Sequence, residues 1–97
     1  MAVYVDQLMK VRKQAGFCGW RWSESCHMIA DTREELMEMA KRIGLKPSWI
    51  QKRGLPDEHF DLTRSKATLA VEAGAHEIDA KRLVGIISAK RRKHKEE

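Results

Sequence analysis

Two hydrophobic periods alternate along the chain, and each switch between them marks an element. Ala2-Val3-Tyr4-Val5-Asp6 is short, β-branched and aromatic, the composition of a buried strand. Ser25 to Ala30 reads as a second strand and runs into Asp31-Thr32-Arg33-Glu34-Glu35, where either Asp31 or Thr32 can cap a helix with a glutamate three residues on. Leu36, Met39, Ala40 and Ile43 then form one apolar stripe and Gly44 supplies a left-handed stop, which predicts a helix over 33–43. Lys46-Pro47 breaks the path; Ser48 to Gln51 predicts a short strand and Lys52 to Glu58 a loop. His59-Phe60-Asp61-Leu62 repeats the strand-to-helix junction, with Thr63 capping a helix over 64–73 that turns Leu69, Ala70 and Ala73 inward and stops at Gly74. His76-Glu77-Ile78 predicts an edge strand, and Asp79 caps a third helix over 80–90 carrying Leu83, Ile86 and Ile87. Past Lys90 the charge run is expected to fray, giving one domain over 1–90 and a basic tail over 91–97. This order predicts a small, single-domain α/β protein: a mostly parallel sheet flanked by about three helices.

A chain of 97 residues can bury one modest core. Its formal charge of +5 comes from 19 basic against 14 acidic residues, with the excess gathered around Lys10, Arg12, Lys13 and Arg21 and again from Lys90 to Lys95. That favours an anionic partner. Without a leader-like apolar segment or an 18-residue apolar run, the protein is expected to be cytoplasmic and to neither cross nor enter a membrane. Cys18 and Cys26 are expected as free thiols, and the Cys-x₂-Cys or His-x₃-His spacing of a zinc pair is lacking. The sequence also lacks the glycine-rich phosphate loops of nucleoside triphosphate and dinucleotide sites, and the nucleophile elbow of hydrolases.

Parallel strands would bring Asp6, Asp31 and Asp61 to one rim of the sheet, beside the long segment from Gln7 to Glu24. One strand histidine is explained by a core; two, His27 and His59, each with a carboxylate two or four residues on, point to a shared polar site. His59 and Asp61 have the same strand parity and can point together. Trp20 and Trp22 lie among Arg12, Lys13 and Arg21, a setting that suits a stacked base with its phosphates, although tryptophans also simply cover small cores, as Trp49 is expected to do. Thr63-Arg64-Ser65-Lys66 adds free helix amides, hydroxyls and two cations.

In order, the chain carries Met1-Ala2-Val3-Tyr4-Val5-Asp6, Trp22-Ser23, His27-Met28, Ala30-Asp31, Glu35-Leu36, Ile43-Gly44-Leu45, Trp49, His59 with Asp61, and Ala70 with Gly74-Ala75. Over about residues 1–75 this succession resembles an uncharacterised family of small bacterial and phage proteins, a domain of unknown function. Members carry arginine after the lysine of the second helix start, where Ala67 follows Lys66 here. The resemblance implies a bacterial or phage origin, hence a host cytoplasm if phage-encoded, and no established activity.

The leading expectation is non-catalytic binding of a phosphate-bearing, nucleotide-like small molecule or a nucleic-acid end at the rim. Trp20 or Trp22 would stack on the base, Arg12, Arg21, Arg64 and Lys66 would meet phosphate, and Asp6, His27, His59 and Asp61 would bond sugar or base. In a phage protein such binding would sequester a host nucleotide. The alternative is a divalent-metal phosphodiesterase or nuclease using Asp6, His27, His59 and Asp61. A third reading is a protein-interaction module. No cofactor is specified by the pattern, and an oligomer is compatible with it.

Overall fold

The computed structural model describes residues 2–7, 9, 10 and 24–96, less the side chains of 9, 10, 24 and 94–96. The strands are β1 (Val3–Val5), β2 (Met9–Lys10), β3 (Glu24–Ala30), β4 (Phe60–Leu62) and β5 (His76–Glu77); the helices are α1 (Arg33–Ile43), α2 (Arg64–Glu72) and α3 (Ala80–Glu96). β4, β3, β1 and β5 lie side by side, and β2 pairs with the first residues of β3.

The sheet is mixed. β3 is antiparallel to β1, β2 and β4, and among the described residues only the β1–β5 pair is parallel. The expectation of a mostly parallel sheet fails at β3, which enters the sheet from the opposite end to β1. Its carboxyl end therefore meets the start of β1, which removes Asp31 from the rim that holds Asp6. There Asp31 accepts the Ala2 amide at 2.8 Å and the Tyr4 hydroxyl at 3.3 Å, and Thr32 alone caps α1. Thr32 accepts the Glu35 amide at 3.2 Å and donates its hydroxyl to Glu35 Oε1 at 2.9 Å, a reciprocal arrangement that fixes the first turn.

Alternation sorts the strand residues onto two faces. Val3 and Val5, Cys26, Met28 and Ala30, and Phe60 and Leu62 are buried against Leu36, Met39, Ala40 and Ile43 of α1 and Ala70 of α2. α2 packs through Ala67, Ala70 and Val71, whereas Leu69, expected inward, is exposed. Small residues let this short helix lie close to the sheet. Thr63 caps it by accepting the Lys66 amide, and Gly44 ends α1 at φ +85°, a conformation that an L side chain adopts with strain.

The stretch expected as a strand over 48–51 is a single 3₁₀ turn, Pro47–Trp49, because proline at its first position presets the turn. Gln51 alone pairs, exchanging both backbone hydrogen bonds with His59 at 2.8 and 3.1 Å and so prolonging β4 by one residue. Trp49 does not cover the core: it is exposed, with Lys46 Nζ 5.7 Å from its ring centre. The loop after Gln51 is held by Glu58, a buried carboxylate that accepts from Arg33 Nε at 3.2 Å and from the Gly54 amide at 3.1 Å.

α3 begins at the Asp79 cap and continues past Lys90 to Glu96, beyond the point where fraying is expected. Two contacts hold its second half to the body. Lys90 donates to the Ala30 carbonyl, and Arg91 Nη2 lies 3.4 Å from Asp57 Oδ2.

Leu36, 1% exposed and central to the α1 face, gives the direct check on this packing. Leu36→Ala should lower the unfolding free energy by about 2–5 kcal/mol in a denaturant titration. A loss under about 1 kcal/mol would mean that α1 does not seat on the sheet as described.

Candidate functional site

The face of the sheet opposite the α1 and α2 core carries Asp6 just beyond β1, His27 on β3, and His59 and Asp61 along β4. Register places them in a row. His27 stands directly across from Asp61, and the Asp6 amide donates to the His27 carbonyl at 3.1 Å. In a continuing antiparallel pair Asp6 would return its own carbonyl to the His27 amide. Instead its carboxylate takes that place, accepting the His27 amide at 2.6 Å on one oxygen and the His27 Nδ1 proton at 2.8 Å on the other. The ladder breaks here for a countable reason: three residues separate Val5 from Met9, whereas two, Cys26 and His27, separate their partners on β3. With the extra residue, Asp6 keeps its amide hydrogen bond to His27 while its side chain, not its carbonyl, accepts from the neighbouring strand.

Asp6 is buried, its side chain only 4% exposed, and both of its oxygens are spent on one residue. Hydrogen bonding to that carboxylate raises the His27 pKa above the ordinary value of 6.5; burial opposes the rise, and the charges of Asp6 and Asp61 add to it. His59 is oriented in the same sense by a different partner, its Nδ1 lying 2.9 Å from the Asp57 carbonyl. A carbonyl only accepts, so Nδ1 of His59 carries the proton; a carboxylate fixes the same tautomer on His27. Each neutral ring then has its Nε2 lone pair free. Both lone pairs face Asp61 Oδ1, at 3.9 Å from His27 and 3.6 Å from His59, and the two rings meet edge-on with centroids 5.2 Å apart. One ligand atom from each of His27, His59 and Asp61 lies within 4.8 Å of the others.

Three electron-rich atoms converging on one point repel unless positive charge sits among them. A proton on a ring or a cation between the three would satisfy the arrangement. A metal held at about 2.0–2.2 Å in tetrahedral geometry separates its ligand atoms by roughly 3.4 Å, close to the 3.6 and 3.9 Å between Asp61 and the two imidazoles. Asp6 and the Asp57 carbonyl then occupy the place of the outer hydrogen-bond partners that orient metal-binding imidazoles.

Of the residues singled out in the sequence, Asp6, His27, His59 and Asp61 come together. Lys66 does not join them, since its ammonium donates to the Ile43 carbonyl at 2.7 Å and neutralises the carboxyl end of α1. Arg64 lines a separate cavity of about 480 Å³ with Gln7, Glu77 and Asp79, which meets the cluster only at Asp6. Arg12, Trp20, Arg21 and Trp22 lie outside the described residues. Asp57 was not foreseen: its role runs through a backbone carbonyl, and the Asp57-x-His59 spacing is the one sequence signal that could have shown it.

Among the described residues no helix is long and apolar enough to cross a membrane. No curated protein and no solved structure matches the chain. A family model does, over residues 3–90, and it spans the whole of the polar row as well as the core beneath it. The chain thus belongs to the family described as protein of unknown function (DUF4031).

Proposed function

We propose that His27, His59 and Asp61 bind a divalent transition-metal cation and that the protein uses it to hydrolyse a phosphate ester. The observation that carries this reading is the pair of imidazoles whose Nδ1 atoms are both anchored while both Nε2 atoms face one carboxylate oxygen. Two imidazoles and a carboxylate suit Zn²⁺, Mn²⁺ or Fe²⁺ better than Mg²⁺, which favours oxygen ligands throughout. Three protein ligands leave coordination open to water and substrate, the pattern of catalytic rather than structural sites. Bound there, the cation would supply an activated water and polarise a phosphoryl oxygen. His27 and His59 keep partly exposed rings, each one-third exposed or less.

A phosphate-bearing substrate fits the net charge of +5. Non-catalytic capture of a nucleotide-like anion shares that charge argument, but its stacking and phosphate-pairing residues are mainly Arg12, Trp20, Arg21 and Trp22. The histidine–aspartate row favours the metal reading, because a base- or sugar-binding site has no need of two converging Nε2 atoms.

Titration with Co²⁺, followed by visible absorption, should show stoichiometric binding by the native chain. His59→Ala and Asp61→Ala should weaken it at least about 100-fold, and Asp6→Asn by about 10–100-fold, the usual cost of losing an outer-shell partner. Hydrolysis of bis(p-nitrophenyl) phosphate should need the metal, stop with EDTA and return with Zn²⁺ or Mn²⁺. Absence of binding by Co²⁺, Zn²⁺ and Mn²⁺ alike would overturn the reading.

Protons compete with the metal for His27, and its raised pKa makes them compete from higher pH. Co²⁺ affinity should therefore fall as pH drops through the raised value, and Asp6→Asn should move that midpoint down toward 6.5. In the metal-free protein the same shift stabilises the fold while His27 is protonated. That contribution is complete below the ordinary value and is lost as pH rises through the folded-state value. His27→Gln should accordingly cost more stability at about pH 5.5 than at about pH 8 in urea titrations.

A further inference from the structure

Cations from separate parts of the chain gather along the loop that positions His59. Arg33 at the start of α1 and Lys90 and Lys93 of α3 line a groove of about 280 Å³ together with Asp31 and Glu58, and its other wall is Gly54, Leu55 and Pro56. Lys52 and Arg91 border the same loop, both more than half exposed, at 3.0 and 3.4 Å from Asp57 Oδ2. The neighbouring acids are already committed. Glu58 is held by Arg33 and the Gly54 amide, Asp57 by Lys52 and Arg91, and Asp31 by the Ala2 amide. Glu35 faces Lys90 as well, so five cations stand against four carboxylates, and the excess positive charge lies at Lys93 and at Arg92 beside it on the exposed side of α3.

We propose that this groove, between the 52–58 loop and the second half of α3, is a track for a nucleic-acid strand that leads a phosphodiester to the His27–His59–Asp61 centre. The inference rests on the metal reading above and names its substrate class. Its geometric link is Asp57, whose carboxylate is gripped by the basic border of the groove and whose carbonyl orients His59. The extension of α3 to Glu96 matters here. The basic run from Lys90 to Lys95 covers about 7.5 Å of the helix axis, which spreads its charge over more than a single phosphate of a strand. Contacts of this kind go to the backbone, so recognition should be indifferent to base sequence. Leu55, half exposed at the groove wall, offers an apolar surface to a base.

The test measures two signals on the same full-length chain: anisotropy of a fluorescein-labelled single-stranded DNA oligonucleotide, and Co²⁺ absorption. The native protein should bind the oligonucleotide with an affinity that falls steeply between about 50 and 200 mM KCl. Arg92→Glu with Lys93→Glu should lower that affinity about tenfold or more, make the log–log salt slope shallower by about 1.5, and leave Co²⁺ affinity unchanged. If circular dichroism shows the double variant unfolded, Lys93→Gln alone should still reduce the slope by about 0.7. Normal Co²⁺ binding with no oligonucleotide binding, or with binding untouched by the substitutions, overturns the strand track and leaves the metal centre standing. Oligonucleotide binding without Co²⁺ binding overturns the metal reading, and with it the delivery of the strand to a metal.

Discussion

Asp6 controls more of this structure than any residue of the hydrophobic core. A buried carboxylate is costly unless each oxygen finds a donor, and both of its donors belong to His27. One of those bonds ends the β1–β3 ladder by replacing a backbone acceptor. The other sets the tautomer and direction of the ring that faces Asp61. The termination of a strand and the orientation of a candidate ligand are thus a single event, which explains why an acid stands at the end of β1 where no helix follows to need a cap.

Elements governed by neighbours in sequence were legible in advance. The stripe from Leu36 to Ile43, the Thr32 and Thr63 caps, and the glycine stop at Gly44 are all local, and they fix α1 and α2 to within a residue or so. Strand direction is not local. Nothing in Ser25–Ala30 distinguishes a strand parallel to β1 from an antiparallel one, so the end of the sheet at which Asp31 lies is not readable from its own segment. His27, His59 and Asp61 share a face whichever way β3 runs, since parity within each strand decides it. What the parity argument could not supply is the row itself, which depends on register across three strands, or the Asp57 carbonyl, which any residue could provide.

The helical continuation past Lys90 has a related cause. Five basic residues between Lys90 and Lys95 repel one another in an isolated segment. The fold relieves part of that repulsion by giving Lys90 the Ala30 carbonyl and Arg91 the Asp57 carboxylate. Those partners lie far away in sequence, so the helix end could not be read from its own composition. Leu69 shows the converse: its spacing suits an inward face, but α2 meets the core through Ala67, Ala70 and Val71 and leaves Leu69 exposed.

Cys26 lies next to His27 in sequence and on the opposite side of the sheet, fully buried, with its thiol pushed up to about 12 mainly by burial. It stays a neutral thiol across the physiological range and cannot swing through the sheet to join its neighbour. Among the described residues the polar row therefore offers nitrogen and oxygen donors, a set that disfavours thiophilic ions such as Cu⁺ or Cd²⁺. Oxidants that modify exposed thiols do not reach the row through Cys26, since strand alternation holds that sulfur on the far side of the sheet.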